Sequence, residues 1–186
     1  FSKTELKKIA HKNRNLEGSI LFITQVDKNF KRYPSWDDVI KNLDTNYRVQ
    51  LLNPNEKLIK VIENRKGFII TASTYREAIL IIAKAKIIIG TEGSLIHIAV
   101  LLKKKTIVLE ADSSFQKQTF TNNLRDVTIL NNHICQPWYE KNKKEGTRLC
   151  FLDINGKVIK GNNQCLKNIN PISVINAIKQ LKDCTY

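Results

Sequence analysis

A chain of 186 residues with 42% hydrophobic content is the size of one folded domain with a core of its own. No apolar run reaches the roughly 18–20 residues a membrane helix needs: the densest stretch, Ala78 to Gly90, is interrupted by Lys84 and Lys86. Thirty-one Lys and Arg against seventeen Asp and Glu leave a net charge of +14, which favours anionic partners such as nucleotides, phosphorylated lipids or a membrane surface; equally, the lysines are spread along a chain rich in Lys, Asn and Ile, as an AT-rich genome would make them.

Phe1 to Leu16 reads as an amphipathic helix on Leu6, Ile9 and Ala10, broken by Gly18. It lacks the apolar segment and cleavage site of a secretory signal. The opening Phe1 suggests a piece of a longer protein. Ser19 to Val26 is a continuous apolar run, the pattern of a strand buried on both faces. Pro34 and Ser35 open a helix to Leu43, with Ser35 as its cap and Asp37 and Asp38 in the first turn. A strand follows at Tyr47 to Leu52. Asn53-Pro54 reads as a cap with proline at the first helical position, starting a helix that runs to about Asn64 and ends at Gly67.

Phe68 to Thr71 is a short strand. Ser73 or Thr74 caps the next helix, whose stripe includes Ala78, Ile79, Ile82 and Ala83. Lys86 to Ile89 is a buried strand closed by Gly90, followed by a helix through Leu102 and strands at Thr106 to Leu109 and Val127 to Leu130. Strand and helix thus alternate with short connections over residues 17–130, the signature of a doubly wound parallel sheet. Residues 131–170 form a polar tail with a hairpin signal at Leu152 to Ile159, where Asn155-Gly156 suits a type I′ turn. A last helix, 171–184, opens at Pro171 on Val174, Ile175, Ile178 and Leu181. The whole of 1–186 reads as a single α/β Rossmann-like domain.

In such a sheet ligands bind at the carboxyl ends of the strands. Thr24 follows the first strand, with Lys31 a little beyond. The turn Gly90-Thr91-Glu92-Gly93-Ser94 joins a strand to a helix. Its glycines let backbone approach a ligand, and the N–H groups of the helix start carry positive partial charge, which suits a diphosphate. Glu92 would repel phosphate and better accepts hydrogen bonds from a ribose or sugar hydroxyl, or from backbone. His97, one turn on, either donates to a phosphate or packs on the sheet. No dinucleotide fingerprint, Walker loop, zinc-protease helix or nucleophile elbow is present. Basic residues do not interleave with aromatics as nucleic-acid surfaces require. Cys135, Cys150, Cys165 and Cys184 form no close pair. They fit buried thiols, a four-thiolate metal site or a disulfide, and a reducing compartment is the default.

The segment Ala85 to Ala99, with Gly90-Thr91-Glu92-Gly93-Ser94 and His97 at its centre, resembles the G-x-D-S/T-G-x-x-H-L-A motif of glycosyltransferase family 9, the ADP-heptose:lipopolysaccharide heptosyltransferases. Glu92 takes the acidic place, Gly93 the hydroxyl place, Ser94 the glycine place and His97 the histidine. Thr24 to Pro34 is similar to the family's T-x-x-x-x-K-x-W-P, with Lys31, Tyr33 and Pro34 in the last places. Cys165 to Ile169 with Pro171 and Val174 is similar to its closing stretch. The resemblance covers about Ser19 to Leu181.

The resemblance implies the donor-binding half of a GT-B fold, with Thr24, Lys31, Thr91, Glu92, Gly93, Ser94 and His97 around a nucleotide-diphosphate sugar. Lys31 would bind the donor's phosphate or sugar. An inverting transfer is implied, without metal or cofactor, to a glycan or lipid-linked acceptor in bacterial surface glycan synthesis. The acidic base would lie in an N-terminal half not seen here, so the chain alone is expected to hold donor without turnover. Iron held by cysteines occurs in some related protein heptosyltransferases. A cytoplasmic place is expected, with peripheral association to the inner membrane as an option and no nucleic-acid partner. The competing reading is a GT-B half without catalysis, serving as a binding or interaction module.

Overall fold

The computed structural model describes residues 18–24, 32–65, 67–110, 126–131 and 164–183. Among these residues six strands run β1 (Ile20–Ile23), β2 (Val49–Leu52), β3 (Phe68–Ile70), β4 (Ile87–Thr91), β5 (Lys105–Leu109) and β6 (Val127–Leu130). Between and after them come helices α1 (Trp36–Asn42), α2 (Glu56–Asn64), α3 (Tyr75–Lys84), α4 (Ser94–Leu101), α5 (Gln164–Lys167) and α6 (Pro171–Asp183). The strands form one sheet in the order β3-β2-β1-β4-β5-β6, and every neighbouring pair is parallel. The expected doubly wound, Rossmann-like sheet is therefore what the chain forms, and the order reverses direction between β1 and β4.

The alternation of each strand sorts its side chains to two cores. Ile20 and Phe22 of β1, Ile87 and Ile89 of β4, and Ile107 and Leu109 of β5 face α1, α2 and α6. Leu21 and Ile23, Ile88, and Val108 face α3 and α4. Because both faces are covered, these strands read as unbroken apolar runs. On the first face Trp36 packs edge-to-face on Phe22 and Tyr33 at centroid distances of 5.7 and 4.9 Å. The Tyr33 hydroxyl donates to the Ile169 carbonyl at 2.9 Å, tying the start of α1 to the α5–α6 connection. Burial pushes its phenol up to about 12.

Several expectations of detail are corrected. Ser35 sits at the N-cap of α1 but its side chain makes no cap bond: at φ −100°, ψ 28° it is outside the extended region that aims a hydroxyl at the helix. Asn53 does not cap α2. Asn55 does, accepting from Leu58 N–H at 3.0 Å, while Asn53 adopts φ 45° and pairs its amide with both backbone groups of Ala72, at 2.9 and 3.2 Å. Thr74, not Ser73, caps α3: its hydroxyl accepts from Glu77 N–H, and the Glu77 carboxylate accepts from Ser73 N–H, a reciprocal box. The α3 stripe is turned, with Leu80 and Ile81 buried beside Ala78 and Ile82, and Ile79 and Ala83 only half-buried. Gly90 does not close β4, which continues to Thr91. Helix α5 lies inside the stretch expected to be tail. The helix expected at Phe1 to Leu16 and the hairpin at Leu152 to Ile159 lie outside the described residues, as do Val26 and the end of the last helix at 184.

Candidate functional site

The carboxyl ends of β1 and β4 meet where the strand order reverses. Ile23 pairs with Gly90, so Thr24 and Thr91 lie side by side one residue further on. Gly90 is needed for the closeness of this junction. A Cβ there would come 2.8 Å from Ile96 Cδ1 and 2.9 Å from the Ile23 carbonyl oxygen, so its absence lets the first turn of α4 rest on the β1–β4 seam. Thr24 is 9% exposed, and its hydroxyl has no hydrogen-bond partner among the described residues. Neither does the indole N–H of Trp36, buried on the same side of the sheet. A buried polar atom without a partner costs about 1–3 kcal/mol, so Thr24 offers a contact that a ligand or water would satisfy.

Helix α4 begins beside it. Gly93 is its N-cap in a fully extended conformation, φ 172° and ψ 174°, and supplies no side-chain cap. Its carbonyl accepts from Ile96 and His97 N–H at 3.0 and 3.1 Å. Ahead of these bonds, the N–H groups of Ser94 and Leu95 have no acceptor within the helix. Ser94 is exposed and His97 half-buried on this first turn. Thr91 and Glu92 are buried, at 3% and 1% exposed. Glu92 N–H donates to Leu109 O at 3.1 Å, which extends the β4–β5 ladder by one step and fixes the backbone from which the carboxylate projects.

What lies next to Glu92 is set by the strand order. One residue past the Thr91–Leu109 pair, Glu110 is 3% exposed and accepts from the Asn131 side chain at 2.8 Å. Two buried carboxylates thus end adjacent strands. Their positions after β4 and β5 were the available signal. On the other side of the seam, the Asn53–Ala72 amide pair holds the turns after β2 and β3 together. Asp37, in the first turn of α1, accepts from Lys57 of α2 at 2.9 Å, with Lys41 at 3.7 Å. Burial opposes charge on Asp37, but the bond and charge of Lys57, with Lys41 behind, hold its carboxyl below the usual 3.8.

The structure therefore brings together Thr24, Thr91, Glu92, Gly93, Ser94 and His97 at one end of two strands. Lys31 lies outside the described residues, as do Cys135, Cys150 and Cys184. Cys165 is buried in α5. Among the described residues no group of three or more His, Cys, Asp or Glu is placed to hold a metal ion. No described helix is long and apolar enough to cross a membrane.

A glycine-opened strand-to-helix turn at the reversal point of a six-stranded parallel sheet defines the class, a Rossmann-like α/β fold. Within that class the chain belongs to glycosyltransferase family 9 (heptosyltransferase), whose model matches residues 2–148. No curated protein sequence matches it. Among solved structures it is similar to ADP-heptose LPS heptosyltransferase II of E. coli, with a TM-score of 0.63 at 18% identity over 97% of this chain and 52% of that one. It is also similar to a family 9 glycosyltransferase of Veillonella parvula, with a TM-score of 0.67 at 15% identity over 96% and 50%. A third is E. coli heptosyltransferase WaaC with ADP-2-deoxy-2-fluoro heptose, with a TM-score of 0.55 at 14% identity over 93% and 46%. The chain spans about half the length of these proteins. It is a heptosyltransferase-like glycosyltransferase domain.

Proposed function

We propose that this chain is the donor-binding half of an inverting GT-B glycosyltransferase of bacterial surface glycan synthesis, with 1–186 forming one unit. The observation that carries the reading is the α4 start, where the Ser94 and Leu95 N–H groups precede the first helical bonds, set against the buried Thr24 hydroxyl at the β1–β4 seam, which has no partner among the described residues. A diphosphate at this point would accept from the helix N–H groups, Ser94 and His97, with Lys31 as its counter-charge. Glu92 would receive a hydroxyl of the ribose or sugar, and Thr24 and Thr91 would fix the backbone around it. As the bond from anomeric carbon to phosphate oxygen breaks, negative charge grows on the leaving diphosphate, and fixed dipoles that already point there stabilise it without reorganisation. The acceptor hydroxyl of a glycan or lipid-linked glycan attacks the opposite face of the sugar and gives its proton to a base from the other half. The chain alone would hold donor without turning over. That E. coli WaaC was solved with an ADP-linked sugar analogue supports a nucleotide-sugar ligand.

One observation favours a second reading, a binding module without catalysis: with Gly93 and Ser94 in the hydroxyl and glycine places, α4 has no side-chain cap. Thermal shift against ADP-, GDP-, UDP- and CMP-linked sugars separates the two. A ligand at about 100 times its Kd adds about 2.7 kcal/mol. Stabilisation by one sugar nucleotide, lost in Lys31→Ala and Glu92→Gln, is expected. No shift with any of them would favour the module.

A further inference from the structure

The amino-terminal edge of the sheet, opposite the candidate site, carries a cluster of lysines that donor binding does not use. Lys86 opens β4, its N–H bonded to Ser19 O at 3.0 Å. Lys104 is its neighbour, one residue before the Ile87–Lys105 pair. Lys84 ends α3. Lys103 follows α4 at φ 55°, with Lys103 N–H bonded to Val100 O and Lys104 N–H to Ala99 O. This is the helix-ending turn whose left-handed position glycine or asparagine usually fills. Leu101, on the last turn of α4, is 58% exposed.

Among the described residues no carboxylate forms an ion pair with Lys84, Lys86, Lys103 or Lys104. Partial burial without a counter-charge holds the Lys104 ammonium below the usual lysine range. Lys105 is turned to the other face, where it donates to Leu181 O. Asp126 stands one strand beyond, opposite Lys105. The negative ends of α3 and α4 favour one cation each. That accounts for Lys84 and Lys103, and leaves Lys86, Lys104 and the bare Leu101 without a local reason.

We propose that this face, Lys84, Lys86, Lys103 and Lys104 around Leu101, docks the chain on an anionic lipid bilayer. The lysines meet the headgroup phosphates, and Leu101 enters the boundary between headgroups and acyl chains. Among the described residues no aromatic side chain belongs to the cluster, so these residues offer none of the stacking surface that single-stranded nucleic acid would use. With strands of about five residues, the opposite edge stands about 17 Å above the contact. The proposal goes beyond the donor reading and does not depend on it.

The test is co-sedimentation of the full chain, without nucleotide, with vesicles of phosphatidylcholine containing about a third phosphatidylglycerol, against phosphatidylcholine alone. The anionic vesicles are expected to bind the chain. One lysine near such a surface is worth about a fivefold change in partitioning, so Lys86→Glu with Lys104→Glu should weaken binding at least tenfold. Lys60→Glu with Lys179→Glu makes the same charge change on exposed positions of α2 and α6 and should weaken it less than about threefold. Leu101→Ser should weaken it several-fold. Should the half-buried Lys104 variant melt early, Lys86→Glu with Lys103→Glu replaces it. Equal losses for the two charge pairs, no preference for the anionic vesicles, or indifference to Leu101→Ser would each overturn the proposal; the last is what nucleic-acid binding through the same lysines would give.

Discussion

At the scale of single residues, two glycines three positions apart have opposite reasons to be there. Gly90 is held by space: a methyl group would meet the Ile23 carbonyl oxygen at 2.9 Å, and backbone cannot yield as the tip of Ile96 can. Gly93 is not held by space, since a Cβ there meets nothing nearer than Thr91 O at 3.9 Å, and its extended backbone suits any residue. Gly90→Ala should therefore cost about 1–3 kcal/mol in urea unfolding and weaken any ligand at the α4 start. Gly93→Ser should be neutral or gain a few tenths of a kcal/mol, because serine caps a helix slightly better than glycine. Equal losses in the two variants would mean that the turn is not built around the Gly90 contact. The sequence showed both glycines in a turn. It did not show which one the packing requires, because the deciding atoms belong to Ile23 on another strand.

At the scale of elements, what the sequence concealed is mostly a matter of long-range partners. Residues 53–56 read Asn-Pro-Asn-Glu, and either asparagine satisfies the local rule for a helix cap. The choice falls to Asn55 because Asn53 is drawn to Ala72, nineteen residues away, beyond any local rule. The contact between α1 and α2 is of the same kind, since Asp37 was legible as a first-turn acid but Lys57 was not legible as its partner. That pairing sets a pH dependence. The folded-state carboxyl of Asp37 lies below 3.8, so its contribution to stability is present above the unfolded pKa and fades as pH falls through the folded one. Asp37→Asn should melt below the wild type near neutral pH, with a gap that closes below about pH 4. A gap that stays constant down to the acid unfolding range would show that the loss comes from packing and not from charge.

At the scale of the whole molecule, the order of burial follows the order of the sheet. Central strands β1, β2 and β4 are buried at every position, while edge strand β3 leaves Phe68 and Ile69 exposed at 44% and 39%, and β6 is half-buried throughout. This hierarchy was only partly legible. Phe68 to Ile70 is as apolar as Ile87 to Ile89, and only the strand order shows that one lies at an edge and the other at the centre. The site was legible to the extent that it lies on one local turn, Thr91 to His97, and its Glu110–Asn131 neighbour was not, because two more strands had to be placed first. Native-state hydrogen exchange reads the hierarchy directly, because a backbone amide in the centre is released only when the sheet opens on both sides. The amides of Phe22, Ile88, Ile89 and Val108 should exchange only at the rate of global unfolding. Those of Ile69 and Ile129 should exchange through smaller openings whose free energy falls well short of it. Uniform protection across all six strands would mean that the sheet opens only as one unit and that its edges are held by contacts beyond those of the strands.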